Sequence, residues 1–240
     1  MGNNHLGNPK AVQTGYYSSI ILVILTLITF GMAMAAIPNS GAFCQADCFE
    51  YPYLDTLSEY PGDYLWMYPA IVLMLTFMIM VLAIHASASD ENKVFSHISL
   101  AFATVSTILL SVCYFIQITV VPSSLMNGET AGITLLTQYN PHGVFIAMEE
   151  LGYIMMSFAF IFLVPVFGSK DRIEFAIRWI YIIAFIIIVI SFAIISIKYG
   201  SERQDRFEVM IISVDWLVLI VNGILTSILF RRKLKAQAGN

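Results

Sequence analysis

The sequence predicts an all-α, polytopic transmembrane bundle of six spans, forming one domain over residues 1–240 with both termini on the cytoplasmic side. Three observations carry this. Hydrophobic residues make up 58% of the chain and charged residues 12%, about half the charged share of a soluble domain. The apolar residues gather into six runs of about 20 residues or more, the length that crosses a hydrocarbon core. Lys and Arg fall unequally on the connections between those runs, as the positive-inside rule describes.

The first run is Tyr17–Ile37. Its weakly charged start and small residues Ala33, Ala35 and Ala36 would also suit a cleaved signal peptide. Cleavage would leave five helices with the N-terminus outside. The apolar stretch is longer than a usual signal-peptide core, which favours a retained span. The loop that follows, residues 38–63, is the longest and carries Asp47, Glu50, Asp55, Glu59 and Asp63. Its rings, among them Phe43, Phe49, Tyr51, Tyr53 and Tyr60, suit the headgroup zone. They could rest there or cover an opening between helices. Cys44 and Cys48 lie in this loop on the oxidising side, where a local disulfide is expected.

The second and third runs are Tyr64–His85 and Phe95–Val121. The short polar connection between them brings His85 and His97 to the same end, where interfacial roles are expected. Ser99, Ser106, Cys113, Tyr114 and Gln117 form one polar stripe on the third run. The second outer loop, residues 122–140, opens with Pro122. It closes with Asn140 as an N-cap for the fourth run, Pro141–Phe167, with Pro141 at the first helical position. The fifth run is Glu174–Ile197, with Arg178 able to snorkel to the inner surface. The sixth is Glu208–Phe230, followed by the basic tail Arg231-Arg232-Lys233-Leu234-Lys235, a strong inner anchor. Runs this long must satisfy their backbone internally in lipid, so helices are expected and the alternation of a β-barrel is absent.

Acids inside the spans are where chemistry is expected. A charge at mid-bilayer costs at least about 2.5–3.5 kcal/mol on insertion scales, so such residues face the bundle interior and serve function. Glu149 and Glu150 lie roughly 12–14 Å below Pro141, and Asp215 roughly 10 Å below Glu208. Their matching depth makes them candidates for one shared site. His142, Glu149 and Tyr153 share a face of the fourth run, which Glu150 and Ser157 extend. Glu208, Asp215, Asn222 and Thr226 form a stripe on the sixth. No Lys or Arg is expected at that depth. The candidates for binding a ligand or a proton are therefore His142, Glu149, Glu150, Tyr153, Asp215, Asn222, Gln117 and Tyr114.

Three functions fit. One is a proton- or cation-linked transporter or ligand-binding protein of the plasma membrane, taking a small cation, a proton, or a cationic or lipidic ligand. A second is a membrane-embedded enzyme, for which these residue types could hold a metal. No HExxH or other metal-ligand spacing is present, nor a GxSxG, P-loop or Rossmann pattern. The sequence thus assigns no metal ligand, cofactor or catalytic residue. The third is an accessory subunit whose stripes only pack helices. The bilayer is the one partner that composition itself requires. With a net charge of −4 and no large basic cluster, nucleic acid is excluded as a partner.

Overall fold

The computed structural model describes residues 8–35 and 39–239. Among these residues the fold is all-helical, without strands, and six helices are long and apolar enough to cross a membrane. They are α1 (Pro9–Ala35), α2 (Met67–Ala86), α3 (Lys93–Met126), α5 (Val144–Leu163), α6 (Arg172–Tyr199) and α7 (Arg206–Ala238), with the single turn α4 (Ile133–Leu136) between α3 and α5. The expected end of the first span at Ile37 lies outside the described residues, as do Ala36 and the first residue of the outer loop, 38.

The helices follow the bundle round in a ring. α1 packs on α2, α2 on α3, α3 on α5, α5 on α7, and α7 back on α1. α6 stands outside this ring against α5 and α7. It buries only Ile177, Tyr181, Ala184 and Ile188, a single face at helical spacing. The rest of α6 presents Ile183, Ile186, Ile187, Ile190 and Ile194 outward. An apolar exterior of this kind implies a lipid environment, since water would penalise every one of these side chains.

Small residues let α1 and α7 approach closely, as is usual where lipid leaves no hydrophobic force between helices. The Phe230 ring of α7 lies against Gly15, where a Cβ has no room, and Gly223 of α7 is covered by Val23 and Leu22 of α1. The buried hydroxyls of Ser19 and Thr26 return to their own helix, bonding the carbonyls of Gly15 and Leu22 at 2.6 and 2.7 Å.

Among the expected boundaries that differ, two bear on the second outer loop. Pro122 does not open the second loop, because α3 continues past it to Met126. The proline costs one backbone bond, and the turn beyond it is closed by Asn127 N donating to the carbonyls of Ser123 and Ser124 at 3.2 Å. Asn140 does not cap the fourth spanning helix. Its Oδ1 accepts from His142 N at 2.9 Å and its carbonyl from Gly143 N at 2.9 Å. An Asn side chain bonding backbone two residues on makes a turn of its own, so α5 starts only at Val144, with Gly143 as its cap. A Cβ on Gly143 would meet the carbonyls of Asn140 and Leu135 at 2.9 and 3.0 Å. At the start of α6 a side chain does cap, as Asp171 Oδ1 accepts from Ile173 N and Glu174 N.

The ends of the bundle differ in character. One carries the 39–66 loop, with Cys44 and Cys48 joined in a disulfide, and is called the loop face below. The other, the tail face, carries the basic end of α7. His85 and His97 meet there, ring centroids 4.1 Å apart, with His85 Nδ1 2.7 Å from Ser96 Oγ.

Candidate functional site

The loop face is closed by a web of side chains. Phe49 and Tyr64 pack edge-on against the Tyr139 ring, at 5.1 and 6.4 Å. The Tyr139 hydroxyl donates to Asp63 at 3.1 Å. Burial pushes the Tyr139 hydroxyl up, with the neighbouring Tyr64 and Asp63 adding to it, so it keeps the proton it donates. Ala42 N donates to Asp205 Oδ1 at 2.8 Å. Gly41, at φ +73°, lies close enough to that carboxyl to leave no space for a side chain. Gln117 fastens the second loop from beneath: its Nε2 donates to the Leu136 carbonyl and its Oε1 accepts from Gln138 N at 3.0 Å.

Under this web lies a cavity of about 220 Å³. Asp63, Glu149, Asp205 and Glu208 line it, with Trp66 and Tyr139 among the rings of its wall. Among the described residues its lining contains no Lys, Arg or His. Glu149 and Glu208 are near neighbours on the wall of this cavity. Two carboxylates this close repel each other when both are ionised.

From Glu149 a buried chain leads into the bundle. The Tyr114 hydroxyl donates to Glu149 Oε1 at 2.6 Å and lies 2.9 Å from the Tyr153 hydroxyl, which accepts from Trp216 Nε1 at 2.9 Å. An indole N–H only donates. Tyr114 has one proton and gives it to Glu149, so Tyr153 is the donor to Tyr114, and the order runs Trp216 to Tyr153, Tyr153 to Tyr114, Tyr114 to Glu149. One turn on from Tyr153, Ser157 Oγ lies 3.0 Å from the Tyr153 carbonyl and 3.2 and 3.1 Å from the two oxygens of Asp215. Asp215 is fully buried.

The three span acids do not converge on one cavity, as their matching depth suggested. Glu149 opens to the cavity under the loop. Asp215 sits deeper, on Ser157. Glu150 turns into a separate cavity of about 200 Å³ with His142, Arg203 and Gln204. There it forms an ion pair with Arg203, which corrects the expectation that no cation reaches this depth. The guanidinium is brought in from the short α6–α7 connection and lies over Phe192, 5.3 Å from the ring centroid. His142 Nε2 is 3.9 Å from Glu202, near the surface. Gln117 and Asn222 line neither of these cavities. Asn222 Nδ2 lies 3.5 Å from the Ile177 carbonyl.

Sequence reasoning did not count Glu208, Asp205, Asp63, Trp66, Trp216 or Arg203 among the binding candidates. Glu208 was in plain view, seven residues before Asp215 on the same stripe. Among the described residues, no group of three or more His, Cys, Asp or Glu is placed to hold a metal ion. No protein-family model, curated protein or solved structure matches this chain.

Proposed function

We propose that this protein binds a small cation in the cavity under the 39–66 loop and exchanges it against a proton held by Glu149 and Glu208. In this reading it is a multi-pass protein of the plasma membrane, with the loop face outside and both termini cytoplasmic. The observation that carries it is the lining of the cavity: among the described residues, four carboxyl groups and no basic side chain. Such a site has a cation-attracting field with low-dielectric walls. Trp66 and Tyr139 add ring faces of the kind that attract ammonium groups. The orientation rests on the Lys and Arg count, nine at the tail-face connections and termini against Lys198, Arg203 and Arg206 on the other side.

The test is calorimetric titration of the purified protein in detergent with NaCl, KCl and tetramethylammonium chloride. Saturable binding of at least one cation is expected, weakened about tenfold or more by Glu208→Gln, since a desolvated charge partner is lost. No saturable heat with any of the three would overturn the proposal. So would unchanged affinity in both Glu208→Gln and Asp63→Asn.

A further inference from the structure

The four acids of the cavity under the loop lie at two levels. Asp63 and Asp205 form the upper one, where both fasten the loop web. Asp63 accepts from the Tyr139 hydroxyl at 3.1 Å, and Asp205 Oδ1 from Ala42 N at 2.8 Å. Asp205 stands at the N-cap of α7. Glu208 lies three residues on, about 4.5 Å further along the helix axis at 1.5 Å per residue. Its neighbour Glu149 shares this lower level, with Oε1 tied to the Tyr114 hydroxyl in the buried interior.

Glu208 points to a ligand in its own right. It is 9% exposed and lines the cavity. Among the described residues no N–H or hydroxyl group donates to its carboxyl, and its charged neighbours Glu149, Asp205 and Glu150 are all acids. A buried carboxylate without a donor or a countercharge is costly, and a second acid beside it adds repulsion. Whatever completes this site must bring positive charge and N–H donors.

One point charge does not complete it. Among the described residues no three His, Cys, Asp or Glu are placed to hold a metal ion, so the four carboxyls do not converge on one spot. A lone ammonium would serve one level and leave the other. The remaining wall includes Trp66, Phe145 and Ile146, the kind of surface on which long cationic side chains lay their methylene stems.

From this geometry we infer that the ligand of the cavity is a short linear diamine. One ammonium sits between Asp63 and Asp205, the other on the Glu149–Glu208 pair, and the methylene spacer lies against Trp66 and Phe145. This rests on the cation reading of the cavity and names the class of cation. The lower ammonium supplies Glu208 with the donors it lacks. Once it is held, the upper one docks at high effective concentration, so two linked charges bind tighter than one. Binding is non-covalent throughout.

The experiment is calorimetric titration of the full chain in detergent with 1,4-diaminobutane, butylamine and calcium chloride at matched ionic strength. The diamine is expected to bind about tenfold or more tighter than butylamine, which has the same carbon chain and one charge. It is also expected to bind tighter than calcium, which has the same charge at one point. In Asp63→Asn combined with Asp205→Asn the amide oxygens still accept from Tyr139 and Ala42, so the loop web is kept. The diamine's advantage over butylamine is expected to vanish there. Asp63→Asn alone serves if the double variant fails to fold, and is expected to reduce that advantage. Equal affinity for diamine and butylamine in the wild type overturns the diamine and leaves a cation-binding cavity standing. Calcium binding tighter than the diamine overturns it too, as does a diamine advantage untouched in the folded variants. No saturable heat with the diamine overturns it equally, and the sodium, potassium and tetramethylammonium titrations then decide the cavity on their own.

Discussion

Tyr114 on α3 donates a 2.6 Å hydrogen bond to Glu149 on α5, joining the acidic cavity to the buried interior. The same hydroxyl accepts from Tyr153, so one oxygen holds two helices together at a point with no access to solvent. Removing it leaves Glu149 with one partner fewer and the Tyr153 proton with none. Tyr114→Phe is therefore expected to destabilise the folded protein by about 1–3 kcal/mol. A lowered thermal unfolding midpoint in detergent would register this. An unchanged midpoint would mean that the hydroxyl contributes nothing net.

Cation and proton compete for the Glu149–Glu208 pair in the proposed site. Loss of the proton frees charge for the cation, so affinity must rise with pH, and each cation bound must release a proton. Calorimetry at one pH in two buffers of different ionisation enthalpy measures that release. Identical heats in the two buffers would contradict the linkage.

Glu150 is nearly buried and Arg203 only partly so. Arg203→Met strands the carboxylate and is expected to cost about 2–3 kcal/mol. Arg203→Met combined with Glu150→Gln is expected to recover most of it, because no charge then remains unpaired. A double-mutant cycle on unfolding midpoints reads the difference. Simple additivity would show that the pair is not coupled.

Gly15 and Gly31 lie on the same helix in opposite circumstances. A side chain at Gly15 meets the Phe230 ring, whereas at Gly31 nothing lies within 4 Å. Gly15→Leu is expected to push α1 off α7 and cost about 1–3 kcal/mol. Gly31→Leu should be close to neutral. Protease resistance and unfolding of the two variants side by side would show whether close α1–α7 packing holds the ring of helices shut.

The proposed orientation places Ser58 outside and Ala236 in the cytoplasm. Single cysteines at these positions are expected to react differently with a membrane-impermeant maleimide on intact cells. Ser58→Cys labels directly, and Ala236→Cys only after permeabilisation. The background is low, since Cys44 and Cys48 are paired and Cys113 is buried. The reverse pattern would invert the topology.

The six helices were legible because each apolar run is long enough to leave no other solution in lipid. Glu149, Tyr153, Tyr114 and Asp215 were legible for a related reason, since polarity at depth is expensive and helical spacing says which way it points. What could not be read was how neighbouring residues divide between sites. Glu149 and Glu150 are adjacent, and a turn of about 100° sends them into different cavities. Arg203 is adjacent to neither in sequence. Its reach into the bundle depends on α6 standing outside the ring, which no local pattern encodes. Asn140 and Pro122 were misplaced because capping and breaking tendencies are weak beside tertiary packing. Asn140 found a turn to close, and α3 had enough remaining bonds to carry past a proline.

Asp205 belongs to two structures at once. One of its carboxylate oxygens fastens the loop through Ala42, and the carboxyl also forms part of the cavity wall beneath. A cation drawing on that oxygen would do so at the expense of the backbone strap above it. Occupancy and closure then draw on the negative charge of one carboxylate, so the fastening of this entrance is weakest at the moment something is inside.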